Sequence, residues 1–183
     1  GLAGGVFVAD VSDNSSVDDG GTVIVSVDQI RWKRSDKKLN AEMFGAIGDG
    51  KLHLEGDKSV DTIAIQRFID YANNSGSSKT CNLQGYYIIN DTIILKSHAY
   101  LVGTSSWTTR IDKATGFNGD ALKTERFDVL KNLNNTLADL PFDFGIVNIK
   151  FDGNYISSDN TTYINTSGGG LKIIGTQFEL ITT

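Results

Sequence analysis

The chain has 183 residues, 20 of them glycine, with one proline, one cysteine and a net charge of −5. A lone Cys81 excludes an intrachain disulfide and any Cys-rich zinc site, and the acidic balance with dispersed Lys and Arg disfavours nucleic-acid phosphates as partners. Apolar residues come in short bursts that fall well below the ~20 needed to span a bilayer, so membrane insertion is not expected.

Residues 1–38 carry the texture of strands and turns. "GVFVAD" is followed by the polar "SDNSSVDDGG", then by "TVIVSV" and "IRWKR". In "TVIVSV", Val23, Val25 and Val27 alternate with Ile24 and Ser26, which predicts a strand with one buried face. Ile30 and Trp32 would continue that face, with Arg31, Lys33 and Arg34 in water. Asp19-Gly20-Gly21 is a turn signal between strands. Thirty-odd residues of hairpin bury little on their own, so this region is expected to lean on the rest of the chain or on identical copies.

Residues 39–80 hold a glycine turn and one helix. "GAIGDGK" supplies the first seven positions of a phosphate-binding loop. That loop also requires a Ser or Thr for Mg²⁺ and a helix starting at once. Here Leu52 occupies the metal-ligand position, Asp49 adds a carboxylate among the amides, and "HLEGDKSV" has no helical period. The glycines are therefore read as tight-turn residues. Further on, Ile65, Phe68, Ile69 and Ala72 fall at i, i+3, i+4 and i+7, an apolar stripe with Gln66, Arg67, Asp70 and Asn73 on the other side. Ser59 or Asp61 would cap the helix start and Gly76 its end.

From residue 81 to 183 the chain is a procession of short strands: "GYYIIN", "TIILKS", "AYLVGT", "TRIDKA" and "DALKT". After the longer interval "ERFDVLKNLNNTLADLPFD" come "FGIVNIKFDGN", "GGGLKIIG" and "FELIT". Within "GIVNIKF", Ile146, Asn148 and Lys150 alternate with Val147, Ile149 and Phe151. Brief strands that turn repeatedly suit a solenoid whose coils close one another, with a β-sandwich as the competing architecture.

The order "FGAIGDG", "DTIAIQRFIDYA", "YYIINDTIILKSHAYLVGTS" resembles the N-terminal signature of the pectate-lyase-like superfamily, across roughly residues 43–104. The one departure is Val60, where the signature usually has a second Asp. Upstream, "GGVFVADVSDNSSVDDGGTVIVSVDQIRWKR" is similar to the segment preceding this signature in bacteriophage tailspikes. The resemblance implies a mainly β fold: a right-handed parallel β-helix capped by one amphipathic helix and preceded by a small β-rich, particle-side region. Phe44, Gly45, Gly48, Asp49 and Gly50 would form the architectural turn, and Asp61, Thr62, Ile65, Phe68 and Ile69 the cap. It also implies a homotrimer located on the virion tail and held there by other tail or adaptor proteins. Such a spike would act at the host bacterial surface as a depolymerase of capsular or other surface polysaccharide. Two alternatives stand beside this: a non-enzymatic adaptor or receptor-binding spike with the same cap, and a secreted polysaccharide lyase unrelated to phage.

No cofactor or metal is expected; His53 and His98 lack ligand spacing and read as structural or solvent-facing. Glycoside hydrolysis needs two carboxyl groups about 5–5.5 Å or 6.5–9.5 Å apart, distances that coils stacked at ~4.8 Å can supply. Asp112, Asp120, Glu125, Asp128, Asp139, Asp143 and Asp152 are available, but none pairs at a recognisable coil spacing. Asp152, in "FDGN", reads as a turn residue. A stack ending at "FELITT" would expose an apolar end, so further coils and the catalytic residues are expected beyond Thr183. Trp107, Tyr155 and Tyr163 are of the type that stacks on sugar rings or packs against a neighbouring subunit.

Overall fold

The computed structural model describes residues 4–36, 38–130, 141–152, 171–172 and 178–181. At the N-terminus, β1 (Phe7–Asp10), β2 (Val23–Val25) and β3 (Arg31–Arg34) form an antiparallel sheet in the order β1-β3-β2. The register corrects the expected faces. Ile24 lies opposite Trp32, whereas Val23 and Val25 lie opposite Lys33 and Arg31. Cross-strand partners share a face, so the valines sit with the cations. Neither face is closed. Among residues 4–36 Gly21 alone is buried as a whole residue, Val27 lies beyond β2 and is 92% exposed, and Trp32 is 39% exposed. Arg34 is not in water either. Its side chain is 1% exposed and donates to the carbonyls of Gly21 and Gly4.

Strand β4 (Leu39–Asn40) runs into a 3-10 turn (Ala41–Phe44), whose Met43 N–H donates to the Asn40 side chain at 2.9 Å. Gly45 ends that turn at φ +106°, a left-handed conformation that glycine adopts without Cβ strain. A small hairpin of β5 (Leu54–Glu55) and β6 (Lys58–Ser59) feeds α1 (Val60–Ser75). Ser59 is the N-cap, accepting from Asp61 N–H, and this resolves the alternative left by the sequence. Because Ser59 caps, Val60 at the first helical position carries no capping duty. Ile65, Phe68, Ile69 and Ala72 are all fully buried, as the helical period requires.

Three coils follow, each of three strands. They are β7 (Lys79–Leu83), β8 (Tyr86–Ile89) and β9 (Ile93–Leu95); β10 (Ala99–Gly103), β11 (Arg110–Lys113) and β12 (Leu122–Thr124); and β13 (Phe144–Val147), β14 (Lys150–Asp152) and β15 (Leu171–Lys172). A short helix, α2 (Phe127–Leu130), follows β12, and β16 (Phe178–Ile181) begins the next turn. The strands stack into three parallel sheets: β4-β7-β10-β13-β16, β8-β11-β14 and β9-β12-β15. This is a parallel β-helix, and all-parallel pairing excludes the sandwich. Its interior is built of like residues one above another: Leu39, Cys81, Leu101 and Ile146 in the first sheet, Tyr87, Ile111 and Phe151 in the second. Burial pushes the Cys81 thiol pKa up, which makes it a core residue and a poor nucleophile.

Two stretches of the solenoid depart from the sequence reading. β7, "KTCNL", presents only Cys81 and Leu83 inward, too sparse an apolar signal to separate it from the helix terminator. "GIVNIKF" is also two strands, not one. Asn148 sits at φ +54° and turns the chain from the first sheet to the second, so the apparent alternation runs through a corner.

Candidate functional site

The first coil of a β-helix presents one row of unpaired backbone groups, an edge that would template association with other strands. Here every stretch of that edge has a partner. Leu39 and Asn40 of β4 pair with Cys81 and Asn82 of β7. The glycine turn takes the next position: Tyr86 N–H donates to Gly48 O at 2.9 Å, and Gly50 N–H donates to Tyr86 O at 2.7 Å. Asp49 thus lies beside Tyr86 as a one-residue parallel strand. A Cβ on Gly85 would stand 2.5 Å from Gly48 O, so this approach depends on glycine.

Past Tyr86 the edge is closed by side chains of α1 and its cap. Asp61, 2% exposed, accepts from Ile88 N–H at 3.0 Å with one carboxylate oxygen, and from Ile47 and Gly48 N–H at 2.8 and 3.1 Å with the other. The Ser59 hydroxyl donates to Ile88 O. Thr62 Oγ1 accepts from Asn90 N–H at 3.3 Å. Gln66 faces Ile94 as a peptide group would, its Oε1 accepting from Ile94 N–H at 2.8 Å and its Nε2 donating to Ile94 O at 3.1 Å. The sequence placed Gln66 on the solvent side of the helix; the structure moves it to the strand edge. Side-chain amides match peptide geometry, and that signal is invisible to a hydrophobic period. Beneath these bonds Phe44 packs edge-on to Phe68 at 5.7 Å and against Tyr71 at 5.9 Å, while Ile65 and Ile69 fill the coil mouth. Replacing Gln66 by Ala strands two backbone groups at a half-exposed position. We expect a loss of about 1–2 kcal/mol, readable as a shift in the urea midpoint at unchanged slope.

The acidic candidates fall into separate clusters. Asp112 and Asp152 are register partners on adjacent coils, which corrects the reading that no carboxylates pair; Asp152 ends β14 instead of closing a turn. Neighbouring strands lie ~4.8 Å apart, within reach of the retaining spacing. The chemistry is nevertheless that of a clamp. Arg110 donates to Asp112 at 2.5 Å and to Asp152 at 3.2 Å, Tyr86 OH donates to Asp112 at 2.6 Å, and the guanidinium lies 4.5 Å over the Tyr86 ring. One guanidinium thus bridges the two carboxylates across the coils, and the Tyr86 hydroxyl takes a further position on Asp112. Asp128 is held by Lys123 at 2.6 Å, and Glu125 lies 3.9 Å from Lys96. Asp139, Tyr155 and Tyr163 lie outside the described residues. Among the described residues no group of His, Cys, Asp or Glu has the arrangement of a metal site.

Both histidines are engaged. His53 Nε2 lies 3.1 Å from the Asp49 carboxylate, and His98 Nδ1 lies 3.0 Å from Asp143. Ser78, His98 and Asp143 each precede a first-sheet strand on successive coils, so one corner of the solenoid is a polar column. The Ser78 hydroxyl, then His98 and Tyr100, holds the Asp143 carboxyl below the usual carboxylate range. A carboxyl that titrates lower in the folded than in the unfolded chain contributes fully above pH ~4, and the contribution fades as pH falls through the folded value. Asp143→Asn should therefore flatten part of the acid limb of the melting temperature below about pH 4, leaving the neutral slope unchanged.

Residues 1–37 match the family model of a small four-stranded β-sheet domain of phage tail proteins. Along 98% of its length the chain superposes, at TM-score 0.61 and 18% identity, on the full-length tailspike protein 2 of Escherichia coli O157:H7 bacteriophage CAB120. In fold, then, the chain resembles a tailspike. A tailspike of Acinetobacter baumannii phage AM24 gives TM-score 0.58 at 19% identity over 97% of this chain. WceF of Pantoea stewartii, a glycan biofilm modifying enzyme with a tailspike-like parallel β-helix, gives 0.55 at 19% over 92%. At such identities the likeness is one of fold. The chain spans 24%, 28% and 22% of those three proteins, about a quarter of each.

Proposed function

We propose that the chain is the tail-side part of a phage tailspike. Residues 1–38 would join the virion through tail or adaptor proteins, residues 39–80 would close the solenoid, and residues 81–183 would begin a β-helix that recognises and degrades bacterial capsular or surface polysaccharide. The observation that carries this reading is one joint: the segment that matches the phage-tail sheet model touches the lid of a β-helix through the turn before β2. A Cβ on Gly21, in the turn before β2, would lie 2.4 Å from the Phe44 ring, and Arg67 of α1 lies against Gly20. The N-terminal segment and the solenoid thus meet at the capping layer. Among the described residues the small sheet has no closed core, and sister chains around a threefold axis would supply one, so the reading includes a homotrimer.

The likeness to WceF favours a second reading, a non-phage glycan-modifying enzyme that shares the architecture. Full-length protein separates the two. The tailspike reading expects a trimeric native mass, co-sedimentation with phage particles, and haloes on host lawns from shortened surface polysaccharide. A trimer that sediments with particles but forms no halo on its host is a non-enzymatic spike, and a monomer absent from particles overturns the proposal.

A further inference from the structure

The corner between the first and second strands of a coil takes two residues in coil one, Gln84 and Gly85, and two in coil three, Asn148 and Ile149. In coil two it takes six, residues 104–109. The insertion is tightly built. Thr108 and Thr109 N–H both donate to Ser105 O, at 3.1 and 2.8 Å, and the Ser105 and Thr108 hydroxyls lie 2.9 Å apart. Its stem is anchored by the fully buried Thr109, whose hydroxyl donates to Leu83 O at 3.1 Å and accepts from Thr104 N–H at 3.1 Å. On the tip of this ordered loop stands Trp107, 90% exposed. A large aromatic held in water by a hydrogen-bonded scaffold gains nothing for the fold from its position, so the informative feature is the exposure itself.

We propose that Trp107 is a stacking platform for a pyranose ring of a surface polysaccharide. Its neighbours select that ligand over a protein surface. Ser105, Ser106 and Thr108 flank it with hydroxyls, and Arg110 follows the stem. An apolar protein patch would find one ring among polar groups. A sugar offers the complementary mixture, a C–H face for the indole and a rim of hydroxyls for the serines and threonine. The ring would bind and orient the glycan without taking part in cleavage. This subsite rests on the reading of the chain as part of a polysaccharide-recognising spike, and the test keeps the two apart.

Full-length protein is screened on an array of bacterial capsular and O-chain polysaccharides, and the best glycan is titrated calorimetrically against Trp107→Ala and Trp107→Phe. We expect Trp107→Ala to bind about five- to tenfold more weakly at an unchanged melting temperature, with Trp107→Phe recovering most of the loss. Wild-type affinity in Trp107→Ala overturns the subsite while leaving the spike reading intact. Loss of trimers in Trp107→Ala overturns it too, because the ring would then be a subunit contact. A wild-type protein that binds no glycan overturns both.

Discussion

Asp61→Ala is expected to destabilise the chain by about 4 kcal/mol, the largest effect of any single polar substitution in the lid. The carboxylate is almost fully buried and accepts three backbone N–H groups, from Ile47, Gly48 and Ile88, that belong to two different elements. Removing it orphans all three at once. Each unsatisfied buried donor costs roughly 1–3 kcal/mol, and partial entry of water keeps the total below the sum of the maxima. Asn tests the direction of the bonds. Its oxygen can still accept from Ile47 and Gly48, but its NH₂ then faces the Ile88 N–H, donor against donor. Asp61→Asn should therefore keep roughly half of the loss, about 2 kcal/mol. Urea unfolding with an unchanged slope measures both. A loss under about 1 kcal/mol in the alanine variant would mean that the lid is not held by this carboxylate.

The second large effect belongs to the joint between sheet and solenoid. Phe44 is fully buried between Phe68, Tyr71 and the Gly20–Gly21 turn. Phe44→Ala should cost about 3–5 kcal/mol, in the range of large-to-small changes that leave a cavity. The companion substitution is Gly21→Ala, whose added methyl would sit 2.4 Å from the Phe44 ring and force the turn off the lid. With Phe44 trimmed to Ala that methyl has room. The two changes should thus be non-additive by about 1 kcal/mol or more, the double variant being less damaged than the sum predicts. Strict additivity in the double-mutant cycle would show that the N-terminal sheet does not rest on the cap.

The helix and most strands were readable because their residues obey one period. Ile65, Phe68, Ile69 and Ala72 repeat at 3.6, and "YYII" and "AYLV" are too short and too aliphatic for anything but buried strands. The seals were less visible. Asp61 and Gln66 look like ordinary polar residues of a helix N-terminus and a solvent face. Their roles depend on which strand edge lies opposite, a tertiary fact that no local pattern encodes. The same blindness affected the carboxylates. Asp112 and Asp152 stand 40 positions apart because the interval after β12 lengthens that coil, so no fixed repeat aligns them, yet the ladder sets them side by side. The valines of the small sheet erred in the opposite sense. Alternation correctly marked a strand, but no second layer among the described residues covers it, so "one buried face" had nothing to be buried against.

The central physical claim is that side chains of α1 substitute for a missing strand along the first coil. Residue-resolved amide hydrogen exchange measures this directly. Ile88 and Ile94 should exchange as slowly as Leu101 and Ile111, which pair with true strands, and Gln66→Ala should release Ile94 alone while Ile88 stays protected by Asp61. Exchange of Ile88 and Ile94 in the unaltered chain at the rate of an open strand edge would contradict the account.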